Sequence, residues 1–237
     1  MESKANIIKP GTEESKTFVQ KLSEFITKNK VVFLAIVGAL VGILVIFGVY
    51  TLVASSISNN SLRAMEVART KIVSWSSEAD AAKKTEIENA ILGDLDAVIK
   101  KWPRTFSAQQ ALYTKASLYS LKKDWENAEK SNLAAANLLP KTYLAPLALE
   151  SAAVAAEERG QADLAQTYYQ KIVDTYKVDT PNLAHAYFSL GRLAEAKSDW
   201  KSALANYDKL LSSFTSSEWS LLAKNRVVYL KAQGLDK

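Results

Sequence analysis

The phrase Lys-x-Asp-Trp-x-x-Ala begins at Lys122 and again at Lys197, 75 residues later, in a chain that has only five tryptophans. Superimposing the two phrases also brings Leu112 onto Tyr187, Ala116 onto Gly191 and Ala128 onto Ala203. A third copy, GQADLAQTYYQKI, starts at Gly160 and sets Ala165 in the place of Ala128 and Ala203, so the steps between copies are 37 and 38 residues. A period of that size accommodates two helices and a turn, and predicts a helical solenoid in which each hairpin buries its apolar faces against its neighbours. Residues 61–237 support an all-α reading. Alanine, leucine, lysine and glutamate dominate, prolines are few, and no alternating pattern persists.

Small residues within each copy set the hairpin. Ala116, Ala153 and Gly191 on the first helix face Ala128, Ala165 and Ala203 on the second, and only small side chains allow so close an antiparallel crossing. Tyr119, Tyr169, Ile172, Tyr207 and Leu210 are the large residues expected to fill the space between units. Trp125 and Trp200 open the second helix, where each ring covers the hairpin end and Asp124 or Asp199 caps the helix.

These positions resemble the tetratricopeptide repeat. Residues 109–142 match through Leu112, Ala116, Tyr119, Ala128, Ala135 and Pro140, with Lys115 and Asn132 departing from the pattern. Residues 146–179 match through Leu149, Ala153, Ala165, Tyr169 and Ile172, with Lys177 in place of the closing proline. Residues 184–217 match through Tyr187, Leu190, Gly191, Ala203 and Tyr207, with Leu210 and Thr215 departing. Upstream, Leu95, Val98 and Pro103 fall in the same register and suggest a degenerate first unit, interrupted by the polar stretch 76–84. The segment SEWSLLAKNRVVYLKAQG resembles the extra helix that covers the open end of such a stack.

Val31 to Ala54 is a run of twenty-four residues without a charge. As a helix it would reach about 36 Å at 1.5 Å per residue, enough to cross a hydrocarbon core of roughly 30 Å with some tilt. A cleaved signal peptide has a shorter apolar core and fits poorly behind thirty preceding residues. Lys16, Lys21, Lys28 and Lys30 flank the run on its N-terminal side, whereas SSISNNSL follows it uncharged as far as Arg63. The lysine-rich side tends to stay cytoplasmic, which predicts an N-terminus inside and the repeats outside. Phe18, Leu22, Phe25 and Ile26 share one face of a helix leading into the span, as an interfacial helix would. Gly38 and Gly42 form G-x-x-x-G, a candidate homodimer face, although glycine is common in spans.

Composition excludes several chemistries. Without cysteine there is no disulfide, no thiolate nucleophile and no cysteine-ligated metal. One histidine, His185, rules out a multi-histidine metal site, and no glycine-rich phosphate-binding motif is present. No cofactor, metal site or catalytic residue is expected. The net charge of +5 divides into +2 from the first thirty residues, six lysines against four glutamates, and +3 over the rest with acids and bases interleaved. That is not the basic stripe of a nucleic-acid binder, and none is expected as a partner.

The expected layout is a tail with an amphipathic juxtamembrane helix at 1–30, a transmembrane helix at 31–54, a linker and first helix at 55–85, and the solenoid at 86–237. A lysine-bearing cytoplasmic segment, one span and tetratricopeptide-like repeats outside together resemble the bacterial inner-membrane ancillary subunit of the Sec translocon. The resemblance implies a single-pass inner-membrane protein with periplasmic repeats, associated with the translocon and periplasmic chaperones. The function expected is non-enzymatic: a membrane-anchored module holding a partner or client protein. A scaffold or assembly factor for a cell-wall or outer-membrane complex is the alternative, though outer-membrane assembly factors of this type carry a lipidated cysteine that is absent here. An enzyme positioned by the solenoid would need a further domain, and no residues remain for one. In the tetratricopeptide pattern the first helices line the groove. That pattern implies Gln110, Tyr113 and Ser117, then Glu150, Val154 and Glu157, then His185, Phe188, Arg192 and Glu195 as the binding face.

Overall fold

The computed structural model describes residues 13–177, 180 and 182–235. Of the tail expected over 1–30, residues 1–12 lie outside the described ones. Ten helices succeed one another without a strand among the described residues: α1 Glu13–Lys28, α2 Lys30–Ser77, α3 Ala81–Lys101, α4 Phe106–Leu121, α5 Trp125–Leu138, α6 Leu144–Glu158, α7 Ala162–Thr175, α8 Leu183–Ala196, α9 Trp200–Ser213 and α10 Glu218–Ala232. The chain divides into one unit ending at Ser56 and a second from Ile57 to Lys237, so α2 contributes residues to both.

In the first unit the apolar surface is uncovered. Phe18, Leu22 and Phe25 on α1 are exposed, as is almost every residue of α2 up to Ser56. An 18-residue window of α2 has mean hydropathy 3.0 and none of it is buried. Among the described residues this is the one helix long and apolar enough to cross a membrane. Gly38 and Gly42 have open space where a Cβ would stand.

The second unit is the stack of helical hairpins that the period predicts. Ala116, Ala128, Ala153, Ala165 and Ala203 are all fully buried, and a Cβ on Gly191 would stand 2.4 Å from Cε1 of Tyr207. Tyr169, Ile172, Tyr207 and Leu210 fill the spaces around them. The C-terminal part of α2 and α3 form the degenerate first hairpin, burying Met65, Ala68, Ile91, Leu95 and Val98. Its interruption is shorter than the polar stretch suggested, because Asp80 accepts hydrogen bonds from the Ala82 and Lys83 amides (2.9 Å each) and starts α3 at Ala81. At the other end α10 packs Ala223, Val227 and Leu230 onto the last hairpin.

The three copies turn in the same way. Each first helix ends in a Schellman arrangement, with Asp124 N–H donating to Tyr119 O, Gln161 N–H to Ala156 O and Asp199 N–H to Ala194 O, all at 2.9 Å. The residue before each donor sits at positive φ: Lys123 at 59°, Gly160 at 72° and Ser198 at 60°. Asp124 then caps α5 and Asp199 caps α9, accepting from the Asn127 and Ser202 amides. The tryptophan phrase is therefore a turn signature: a left-handed residue, a capping aspartate and the first residue of the next helix.

Candidate functional site

Helices α4, α6, α8 and α10 occupy equivalent first-helix positions, and the side chains on their shared face settle what each junction can do. Between α6 and α8, Arg192 donates two hydrogen bonds to Glu157 (2.8 and 2.6 Å), and Tyr169 Oη donates to the same carboxylate (3.0 Å). Between α8 and α10 the pattern repeats: Tyr207 Oη and Arg226 both donate to Glu195. Tyrosine, glutamate and arginine thus form a closed triad at both junctions. Burial, then the adjacent glutamate, pushes the Tyr169 and Tyr207 hydroxyls above the usual phenol range. Burial opposes ionisation of Glu195, but the hydrogen bonds from Arg226 and Tyr207 outweigh it and hold the carboxyl below its ordinary range. The hydrogen bond to Glu195 in turn pushes the Arg226 guanidinium further above its ordinary range.

Displacing the triad by one repeat places it on Ser120, Asn132 and Val154. None of the three can form the network. The α4–α6 junction, without that ionic network, holds a cleft of about 540 Å³ whose walls include Ser117, Leu121, Trp125, Glu150 and Val154. Leu121 is 67% exposed and Val154 39%. Asn132, 2% exposed, lies at the base, and its Oδ1 has no hydrogen-bond partner among the described residues. An apolar slot with a polar base suits one apolar side chain and its flanking backbone.

The ten residues expected on the binding face fall into three groups. Ser117, Glu150 and Val154 come together in this cleft. Gln110 and Tyr113 are half-buried, and Tyr113 packs onto the central core cluster. The other five are engaged at the later junctions. His185 Nδ1 pairs with Glu150, and its ring lies 4.2 Å from that of Trp219. Phe188 is held between Tyr207 and Trp219 at 5.8 and 5.4 Å. Glu157, Arg192 and Glu195 are the triad residues already described. A second cleft of about 540 Å³ does border Phe188, Arg192 and Glu195, with Trp200 and Arg226, but its ionic groups are mutually satisfied.

Leu121 and Trp125 belong to the open cleft and were not among the expected binding residues. The copies held a signal for Leu121, since Glu158 and Ala196 occupy its equivalents. Trp219 and Arg226, on the capping helix, lie outside the repeated pattern and gave none. Among the described residues no group of three or more His, Asp or Glu side chains is arranged to hold a metal ion.

No family model matches the chain. It is 29% identical over 148 residues to a TPR repeat-containing protein of Treponema pallidum (strain Nichols), a match covering 62% of this chain and 61% of that protein. Together with the ten-helix repeated architecture, this similarity supports a tetratricopeptide-type protein-interaction module.

Proposed function

We propose that this protein is a membrane-anchored module that holds an extended segment of a partner protein across its first-helix face, with one apolar side chain seated in the α4–α6 cleft. One observation carries the reading. The Tyr–Glu–Arg triad that ties up the polar groups of two successive junctions is replaced at the first by Asn132, Ser120 and Val154, leaving Leu121 and Val154 open to solvent beside Trp125. Exposed apolar side chains flanking a tryptophan are costly to leave in water and are what a peptide anchor covers. The uncovered run on α2 supports a single-span anchor, and the lysines before it support a cytoplasmic N-terminus with the repeats outside. The finer reading, an inner-membrane subunit acting beside the Sec translocon and periplasmic chaperones, rests on the resemblance in layout.

The test is to close the cleft. Ser120→Glu, Asn132→Tyr and Val154→Arg together install the triad of the later junctions. The tagged full chain is crosslinked in cells, and the proteins recovered with parent and triple variant are quantified. A partner lost at least tenfold from the variant, while the variant remains folded and membrane-associated, supports the proposal. An unchanged set of partners defeats it. Protease added to spheroplasts tests the orientation independently: digestion of the repeats supports it and their protection overturns it.

A further inference from the structure

Helix α10 is apolar on both sides. Its inner side buries Ser220, Ala223, Val227 and Leu230. On the diametrically opposite side, at 3.6 residues per turn, lie Glu218, Leu221, Leu222, Asn225, Val228, Tyr229 and Ala232. All seven are exposed, Leu221 by 65%, Val228 by 61%, Tyr229 by 50% and Leu222 by 44%. A helix apolar all round is ordinarily covered all round.

The outer stripe has an internal symmetry that identifies the cover. Asn225 is the midpoint of Glu218–Ala232. Apolar residues stand three and four positions before it, Leu222 and Leu221, and three and four after it, Val228 and Tyr229. We propose that α10 docks antiparallel against α10 of a second copy of this chain, about a two-fold axis at Asn225. In that arrangement Leu221 meets Tyr229 of the partner, Leu222 meets Val228, and the two Asn225 amides pair with each other. A self-paired asparagine in an otherwise apolar seam fixes register, because any slip strands both amides. Charge agrees with the antiparallel sense: it brings the acidic first turn of one helix, with Glu218, to the end of its partner that carries Lys231, and the two helix dipoles oppose. The contact is isologous, so it closes as a dimer and does not propagate. A pair of helices this short buries less than the roughly 1,200 Å² of a stable standard interface, which makes the dimer concentration-dependent.

Because the chain has no cysteine, single cysteines report the register directly. The full chain in detergent is used with Gly38→Ile and Gly42→Ile, which removes any association through the span. Under mild oxidation Asn225→Cys should form disulfide dimer at least ten times faster than Ala205→Cys, an exposed position on α9. Leu221→Cys alone should be slow, whereas a mixture of Leu221→Cys and Tyr229→Cys chains should be fast. Adding Leu221→Lys to the Asn225→Cys chain should reduce crosslinking at least tenfold without altering its helical content. Equal rates at Asn225→Cys and Ala205→Cys overturn the proposal. So does rapid crosslinking of Leu221→Cys alone, the mark of a parallel pair, or crosslinking indifferent to Leu221→Lys. In cells, an Asn225→Cys adduct only with a different protein would also overturn it.

Discussion

The junction between α4 and α6 and the junction between α6 and α8 are built from equivalent positions of the same repeat, yet one is open and the other closed. At the closed junction Tyr169, Glu157 and Arg192 satisfy one another across two units. At the open one Asn132, Ser120 and Val154 leave an apolar slot over a buried acceptor. The difference teaches where a repeat protein can place a binding site. Periodic packing stabilises every junction, so a site arises where the period is broken by smaller or less polar residues, not where it is best kept.

The largest expected contrast compares the two second-helix positions. Tyr207 is fully buried and donates to Glu195, so Tyr207→Ala should cost about 3–5 kcal/mol through the cavity and the lost hydrogen bond. Asn132→Ala should cost under about 1 kcal/mol, since its Oδ1 already lacks a partner. Thermal unfolding of the full chain in detergent, followed by circular dichroism, would show the two far apart. Similar losses would mean that the junctions are not energetically distinct.

The hairpin crossings sharpen the comparison at smaller scale. Ala153 fits at its crossing, whereas the ring of Tyr207 leaves no room for a methyl group on Gly191. Gly191→Ala should therefore destabilise by about 1–3 kcal/mol despite the better helix propensity of alanine. A gain in melting temperature would contradict the packing described.

Three tyrosines between the repeats give the stack an alkaline signature. Tyr168, partly buried and hydrogen-bonded to Glu129 on α5, is pushed up to about 12, and Tyr169 and Tyr207 at the closed junctions are raised as well. Since their folded values exceed the unfolded value of about 10, their contribution is fully present below pH 10. It is lost as pH rises through the folded values. Unfolding temperature should fall between about pH 10 and 12, and Tyr207→Phe should flatten part of that fall. A flat profile in the parent chain would remove the buried hydroxyls from the account.

Much of this was legible in the sequence and some was not, for physical reasons. The period, the small crossing residues and the capping aspartates act within one hairpin, where spacing along the chain is distance in space. The fate of the binding face depends on which residue of the next unit each side chain meets. His185, Phe188 and Arg192 look like free groove residues in one copy, but Glu150, Trp219 and Glu157 engage them from neighbouring helices. Asn132 stood out as a departure from the repeat pattern, but the meaning of that departure became clear only beside Ser120 and Val154. Two left-handed positions, Lys123 and Ser198, were invisible because neither is glycine, although Gly160 marks the same site in the middle copy. Lys123→Gly and Ser198→Gly should each stabilise by about 0.5–1 kcal/mol, the smallest effect expected here.

The central claim is that the open α4–α6 junction, and not the closed ones, receives the partner. A photoactivatable residue at Leu121 or at Val154, compared with one at Phe188 or Arg192, tests it directly in cells making the full chain. The account predicts that the first pair captures the same partner with at least tenfold higher yield than the second. Equal capture at all four positions, or capture chiefly at Phe188 and Arg192, would contradict it.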